Sequence, residues 1–179
     1  MRSSGFIVVP FFTAAVVLAW SGLAKLRKPA QLARALDAAG VTAGFGGVRL
    51  IGSAEAALGV VCLARPTPGA AAALGVAYLG FAAFLVFLLT ARPATGSCGC
   101  AGDREVPPSW FHVALDMLGA ASAFAFAVSI PHARDIMTTA LSLPLNGVSF
   151  LAGVGLLGYL SFLSAAYLTQ AVTSYRGTT

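Results

Sequence analysis

Charge is what this sequence has least of. Only 9% of its 179 residues are Asp, Glu, Lys or Arg, whereas an ordinary soluble domain carries about 25%. Eleven basic residues, six acidic residues and two histidines supply too little polar surface for a water-soluble globule, a nucleic-acid binder or a disordered tail. Cysteine is scarce too, three residues in all, so each must be placed individually. The excess is apolar: 58% of the chain is hydrophobic and the mean hydropathy is +0.86. The solvent this composition suits is lipid.

A helix rising 1.5 Å per residue needs about 20 apolar residues to cross ~30 Å of hydrocarbon. Five runs meet that length, at residues 5–24, 46–64, 68–90, 109–130 and 147–172. Only Arg2 precedes the first run, and no small-x-small cleavage site opens a soluble domain behind it, so it is expected as a retained span rather than a signal peptide. These spans and their short connections use up almost all of the sequence. The expected fold class is all-α, a polytopic helical bundle in the cell membrane, and any chemistry must sit at a membrane face or between helices. Small residues at four-residue spacing, Gly52 and Ala56, Ala71 and Gly75, and Gly119, Ala123 and Ala127, allow helix backbones to approach closely. No internal repeat of the kind that builds inverted-repeat transporters is visible.

The connections differ in content. In the first, Pro29 opens and Gly40 closes a stretch with Leu32, Ala35, Leu36 and Ala39 at helical spacing. This reads as a short amphipathic helix in the interface, beside Lys25, Arg27, Lys28 and Arg34, the residue type an anionic headgroup layer attracts. The second, Arg65 to Pro68, has room only for a hairpin turn. The third, Ala91 to Pro108, is rich in Gly, Pro, Ser and charge and holds Cys98 and Cys100. The fourth, Pro131 to Asn146, contains His132, Arg134 and Asp135 and then an apolar stretch too short to span.

Because successive spans alternate in direction, the first and third connections share one membrane face. Lys25, Arg49, the Cys98-Gly99-Cys100 loop and His112 lie toward that face, with Glu55 and Asp116 below it. An ionisable group inside a span costs ~2.5–3.5 kcal/mol on insertion scales, so Glu55 and Asp116 require partners or functions. Glu55 is expected to pair with Lys25 or Arg49 and staple two helices; the alternative is a proton donor or acceptor beside a reaction centre. His112 and Asp116 stand four residues apart on one helix face, where the carboxylate can orient the imidazole.

Cys98-Gly99-Cys100 is the sharpest local signal. Residues two apart on an extended chain lie near 7 Å, just outside the ~4.4–6.8 Å range of disulfides, so a bridge needs the turn that Gly99 permits. The small ring would be strained and easily reduced, which suits an exchanging pair better than a brace. A metal site built from Cys98, Cys100, His112 and a carboxylate such as Asp103 is the second reading. The spacing is tight for structural zinc and would suit Cu(I) better. No metal, quinone or haem site is otherwise recognisable, and no cofactor is expected. Cys62, near the opposite face, reads as a small core residue, and Trp20 and Trp110 read as interface residues.

These residues resemble a known family. Ser21-Gly22-Leu23-Ala24-Lys25-Leu26 followed by a proline and a short amphipathic helix, Glu55 with Gly59, and Cys98-Gly99-Cys100-Ala101-Gly102 before the fourth span are similar to the MauE branch of the MauE/DoxX redox-associated membrane proteins. The likeness covers roughly residues 1–130. It implies a four-helix integral membrane domain, with 131–179 as a connection plus an added fifth span. It also implies a role in maturing a disulfide-rich partner, as in the methylamine utilisation system, alongside a thioredoxin-like protein. Lys25, Glu55, Cys98 and Cys100 would be its functional set. Ala101 replaces the Phe often found in the family loop, and Leu115-Asp116 stands where Arg-Asn or Lys-Asp is often found.

The reading is a membrane thiol-disulfide exchange protein acting through Cys98 and Cys100, with Lys25, Glu55, His112 and Asp116 in support. Its partners are the bilayer and a thioredoxin-like or disulfide-acquiring protein. Rivals are a non-catalytic membrane assembly factor, in which the cysteines are dispensable, and a small transporter, in which Glu55 outweighs them. Eight Lys and Arg fall on the cysteine face and three on the other. By the positive-inside rule the cysteine face is therefore cytoplasmic, whereas the family role implies the oxidising, extracytoplasmic side. On the charge argument, a membrane-impermeant maleimide applied to reduced whole cells leaves Cys98 and Cys100 unlabelled, and rapid labelling of either would reverse the orientation.

Overall fold

The computed structural model describes residues 5–91 and 108–142 together with 153, 154, 156, 158 and 160. The chain forms α1 (Gly5–Arg27), α2 (Pro29–Ala38), α3 (Phe45–Ala64), α4 (Pro68–Ala91) and α5 (Trp110–Ser142), with no strand among the described residues. Four helices are long and apolar enough to cross a bilayer, through Ile7–Arg27, Phe45–Ala64, Pro68–Ala91 and Trp110–Ser129. These match the first four expected spans within a few residues. The protein is a multi-pass integral membrane protein, and a bilayer is its environment.

The helices pack as two antiparallel pairs, α1 with α3 and α4 with α5, joined chiefly through α1 and α5. Glycine sets the first pair. A Cβ on Gly22 would lie 2.5 Å from the Ala56 nitrogen and the Gly52 oxygen, and one on Gly59 would lie 2.7 Å from the Ala15 oxygen and the Ala19 nitrogen. The two backbones are thus in direct contact over two turns, the arrangement that small residues permit in lipid, where apolar burial alone gives helices little reason to associate. The second pair uses a different device. Aromatic rings of one helix fill the space over glycines of the other, Phe124 on Gly75 and Tyr78 on Gly119.

Between the pairs lies an apolar core of Val8, Phe11, Phe12, Leu18, Leu74, Ala123 and Phe126, with Cys62 fully buried beside it. Phe11 of α1 stacks on Phe126 of α5 at 3.8 Å between ring centroids and 6° between planes, and Phe12 meets Phe126 edge-on. Cys62 donates its S–H to the Ala70 carbonyl at 3.4 Å across the hairpin between α3 and α4. It is the small core residue the sequence suggested.

The amphipathic segment of the first connection is helical, but its apolar side meets protein. Leu32 and Ala33 pack on Val48 of α3, and Ala35 and Ala39 are buried as well. α2 ends in a tight reversal. Gly40, at φ 84°, donates to the Asp37 carbonyl at 2.9 Å while Val41 donates to the Leu36 carbonyl at 2.8 Å, the paired bonds that satisfy the last carbonyls of a helix and need a left-handed residue at the first position beyond it.

One boundary differs from expectation. The sequence pattern opens the fourth connection at Pro131, yet α5 continues through it to Ser142. Proline forfeits one main-chain bond without obliging a helix to stop, and the charges at His132, Arg134 and Asp135 end a membrane span rather than a helix. The fifth span, 147–172, falls largely outside the described residues. Residues 153, 154, 156, 158 and 160 are helical, and Val154 is buried in the core.

The glycine contacts make a paired prediction. Gly22→Ala forces α1 and α3 apart and lowers stability by about 1–3 kcal/mol, the usual cost of overpacking, whereas Gly80→Ala, with nothing within 4 Å of its added carbon, leaves it unchanged or raised. Thermal unfolding in detergent, followed by circular dichroism, reads both.

Candidate functional site

At the end of the bundle where α1 and α4 finish and α3 and α5 begin, hereafter the α2 end, the spans carry their charged residues. Lys25, in the last turn of α1, is 4% exposed, and Glu55, ten residues into α3, is 6% exposed. Their Nζ and Oε2 atoms are 2.5 Å apart. A lysine so near a helix end normally extends its stem to the interface. Lys25 turns inward because side chains lean toward the N-terminus of their own helix. In the antiparallel pair Lys25 leans away from the α2 end and Glu55 leans toward it, so the two converge. Gly52 clears the path, since a Cβ there would stand 3.0 Å from the Lys25 Cβ.

The ammonium group is well partnered. It donates to Ser21 Oγ at 2.7 Å, one turn back on α1, and lies 5.3 Å from the centre of the Phe81 ring of α4, where the negative ring face attracts a cation. Lys25 therefore ties three helices together. Glu55 Oε1 has no hydrogen-bond donor among the described residues. Arg49, the other partner considered for Glu55, is exposed on α3, so the pairing is settled in favour of Lys25.

A second polar element adjoins the pair. Tyr78 of α4 is buried, donates its hydroxyl to the Ala14 carbonyl of α1 at 2.8 Å and meets Phe81 edge-on at 5.9 Å. Asp116, six residues into α5, is partly buried. His112 stands nearer the end of α5. Its Nδ1 is 2.7 Å from Ser109 Oγ, which also accepts from the His112 backbone N–H at 3.4 Å. Ser109 thereby caps α5 and fixes the imidazole at once.

Cys98, Gly99, Cys100 and Asp103 lie outside the described residues, so the exchanging pair of the sequence reading is positioned only through its anchors, Ala91 and Pro108. Among the described residues no group of three His, Cys, Asp or Glu side chains could hold a metal ion. Four contributors escaped the sequence reading of the site: Phe81, Tyr78, Ser109 and the hydrogen-bonding role of Ser21. Ser21 was detectable from its spacing, four residues before Lys25 on the same helix face.

Residues 3–129 match the family described as methylamine utilisation protein MauE. The chain belongs to that family, and the matched stretch contains all four membrane-length helices and every polar residue of the site. No curated protein and no solved structure matches it.

Removing one member of a buried ion pair leaves the other charged and alone, at a cost of order 3–5 kcal/mol, whereas replacing both by apolar residues is often neutral. Glu55→Gln and Lys25→Met singly are expected to lower the unfolding midpoint in detergent steeply, and Lys25→Met with Glu55→Leu to recover most of it. A Glu55→Gln protein as stable as the wild type would show that the pair does not hold the bundle.

Proposed function

We propose, taking membership of the MauE family as the premise, that this membrane protein carries out thiol-disulfide exchange at the α2 end, with Cys98 and Cys100 as the exchanging pair. The observation that carries the reading is positional. α4 ends at Ala91 and α5 begins at Trp110, so both anchors of the cysteine-bearing segment stand at the end of the bundle that holds Lys25, Glu55, His112 and Asp116. The other described end carries the short hairpin at Arg65–Pro68 and the buried Cys62.

The chemistry is a balanced exchange. A thiolate of a partner dithiol attacks the Cys98–Cys100 disulfide, a mixed disulfide forms as one cysteine leaves as a thiolate, and the partner's second thiolate displaces the other. The partner gains a disulfide, and Cys98 and Cys100 are left as a dithiol for a thioredoxin-like protein to reoxidise by the same steps in reverse. His112, as the imidazolium, favours the thiolate form of a nearby cysteine, and Asp116 stabilises that cation from one turn further along α5. Lys25 and Glu55 hold α1, α3 and α4 in place beneath the loop and act as positioning residues. Residues 1–130 form the four-helix unit in this reading, and 131–179 add the continuation of α5 to Ser142 and a fifth span over 147–172.

Cys98→Ser and Cys100→Ser are each expected to abolish exchange, and the variant retaining the attacking thiol accumulates a mixed disulfide with its protein partner, seen as a reducible band on a non-reducing gel. Cys62→Ala is silent, because that thiol is buried at the other end of α3. If both single variants complement as well as the wild type and neither traps a partner, the protein is an assembly factor in which the cysteines are dispensable.

A further inference from the structure

The α2 end differs from the opposite end in more than its buried pair. Arg27 at the end of α1, Arg34 on α2 and Arg49 on α3 are all exposed, with Asp37 the exposed acid among them. At the opposite end Arg65 is the exposed basic residue among the described ones. The three arginines share this end of the bundle, because α2 follows α1 after the single residue Lys28 and packs through Leu32 and Ala33 on Val48, next to Arg49 in α3. With its apolar stripe turned onto α3, α2 presents Arg34 outward.

The arginines are interleaved with exposed apolar side chains. Leu23 lies one turn along α1 from Arg27, and Leu50, 73% exposed, adjoins Arg49. Both tryptophans of the chain stand exposed in the same half of the bundle, Trp110 at the first turn of α5 and Trp20 two turns before the end of α1. An acidic soluble protein would match the charges and leave the apolar neighbours in water. A phospholipid matches both, with its phosphate on guanidinium groups, which bind such oxygens in a bidentate fashion, and its chains against Leu23, Leu50 and the indoles.

We infer that Arg27, Arg34 and Arg49 form a binding surface for an anionic phospholipid headgroup at the α2 end, with acyl chains lying along the exposed flanks of α1 and α3. The surface selects anionic over zwitterionic lipid. It is independent of the redox chemistry proposed for Cys98 and Cys100, because none of its residues belongs to that machinery.

The two tryptophans make the test direct. Full-length protein is reconstituted in phosphatidylcholine vesicles containing a fixed fraction of either brominated phosphatidylglycerol or brominated phosphatidylcholine, and quenching of tryptophan fluorescence reports which lipid occupies the flank. A preference for phosphatidylglycerol of about fivefold is expected, the factor that one basic residue contributes near an anionic surface. It should fall toward unity in Arg27→Gln/Arg34→Gln/Arg49→Gln and persist in the corresponding triple lysine variant, with circular dichroism unchanged in both. Equal quenching by the two lipids in the wild type would overturn the inference, as would a preference that survives the glutamine substitutions. Loss of the preference on adding inorganic phosphate at matched ionic strength would also overturn it, by assigning the surface to a free anion.

Discussion

The buried ion pair between Lys25 and Glu55 is the constraint on which the arrangement of the spans depends. In lipid neither residue is tolerable alone, and apolar contact between helices gains little over contact with acyl chains. Glycine contacts allow α1 and α3 to touch but leave their relative slide loosely specified. The pair favours one slide: Nζ and Oε2 meet at 2.5 Å in the register in which Gly22 faces Gly52 and Gly59 faces Ala15. The Phe81 ring over the ammonium and the Tyr78 hydroxyl on the Ala14 carbonyl then extend the same register to α4. The α5 position follows through Tyr78 on Gly119 and Phe11 on Phe126.

Much of this was legible in the sequence. The limits of the first four expected spans follow from run length against bilayer thickness, and the four described spans agree with that arithmetic. Lys25 and Glu55 announced themselves as charges where charges are costly. Which cation Glu55 would take was not legible, since both Lys25 and Arg49 lie toward the correct face. The choice turns on side-chain lean in an antiparallel pair and on the gap at Gly52. Phe81 and Tyr78 were hidden for another reason: aromatic residues abound in these spans, and nothing local separates a ring that holds a cation from one that fills space. The continuation of α5 past Pro131 was missed because a drop in hydropathy ends a membrane span, whereas a helix ends only when its main-chain bonds do.

The bundle is polarised along its axis. Its Arg65 end is closed by aromatic stacking and a three-residue hairpin, with Arg65 on its surface. Its α2 end gathers the ion pair, Asp116 and the Ser109-capped His112, with Tyr78 at mid-height behind them. A rigid apolar base beneath a polar end is how a scaffold holds reacting groups without investing them in stability. The family match, which runs through residue 129, covers both halves of that division.

The reversal at Gly40 has a consequence for biogenesis. With its left-handed glycine and two closing bonds, the turn returns the chain to α3 only a few residues after α2, so α1 and α3 form a helical hairpin with local connectivity. α1 emerges from the ribosome first and carries Lys25 without a counter-charge, and α3 follows with Glu55. Each helix is better accepted by the bilayer in the company of the other, so the neutralised hairpin, rather than the single helix, is the natural unit of insertion, and α4 and α5 are added to a template already in register.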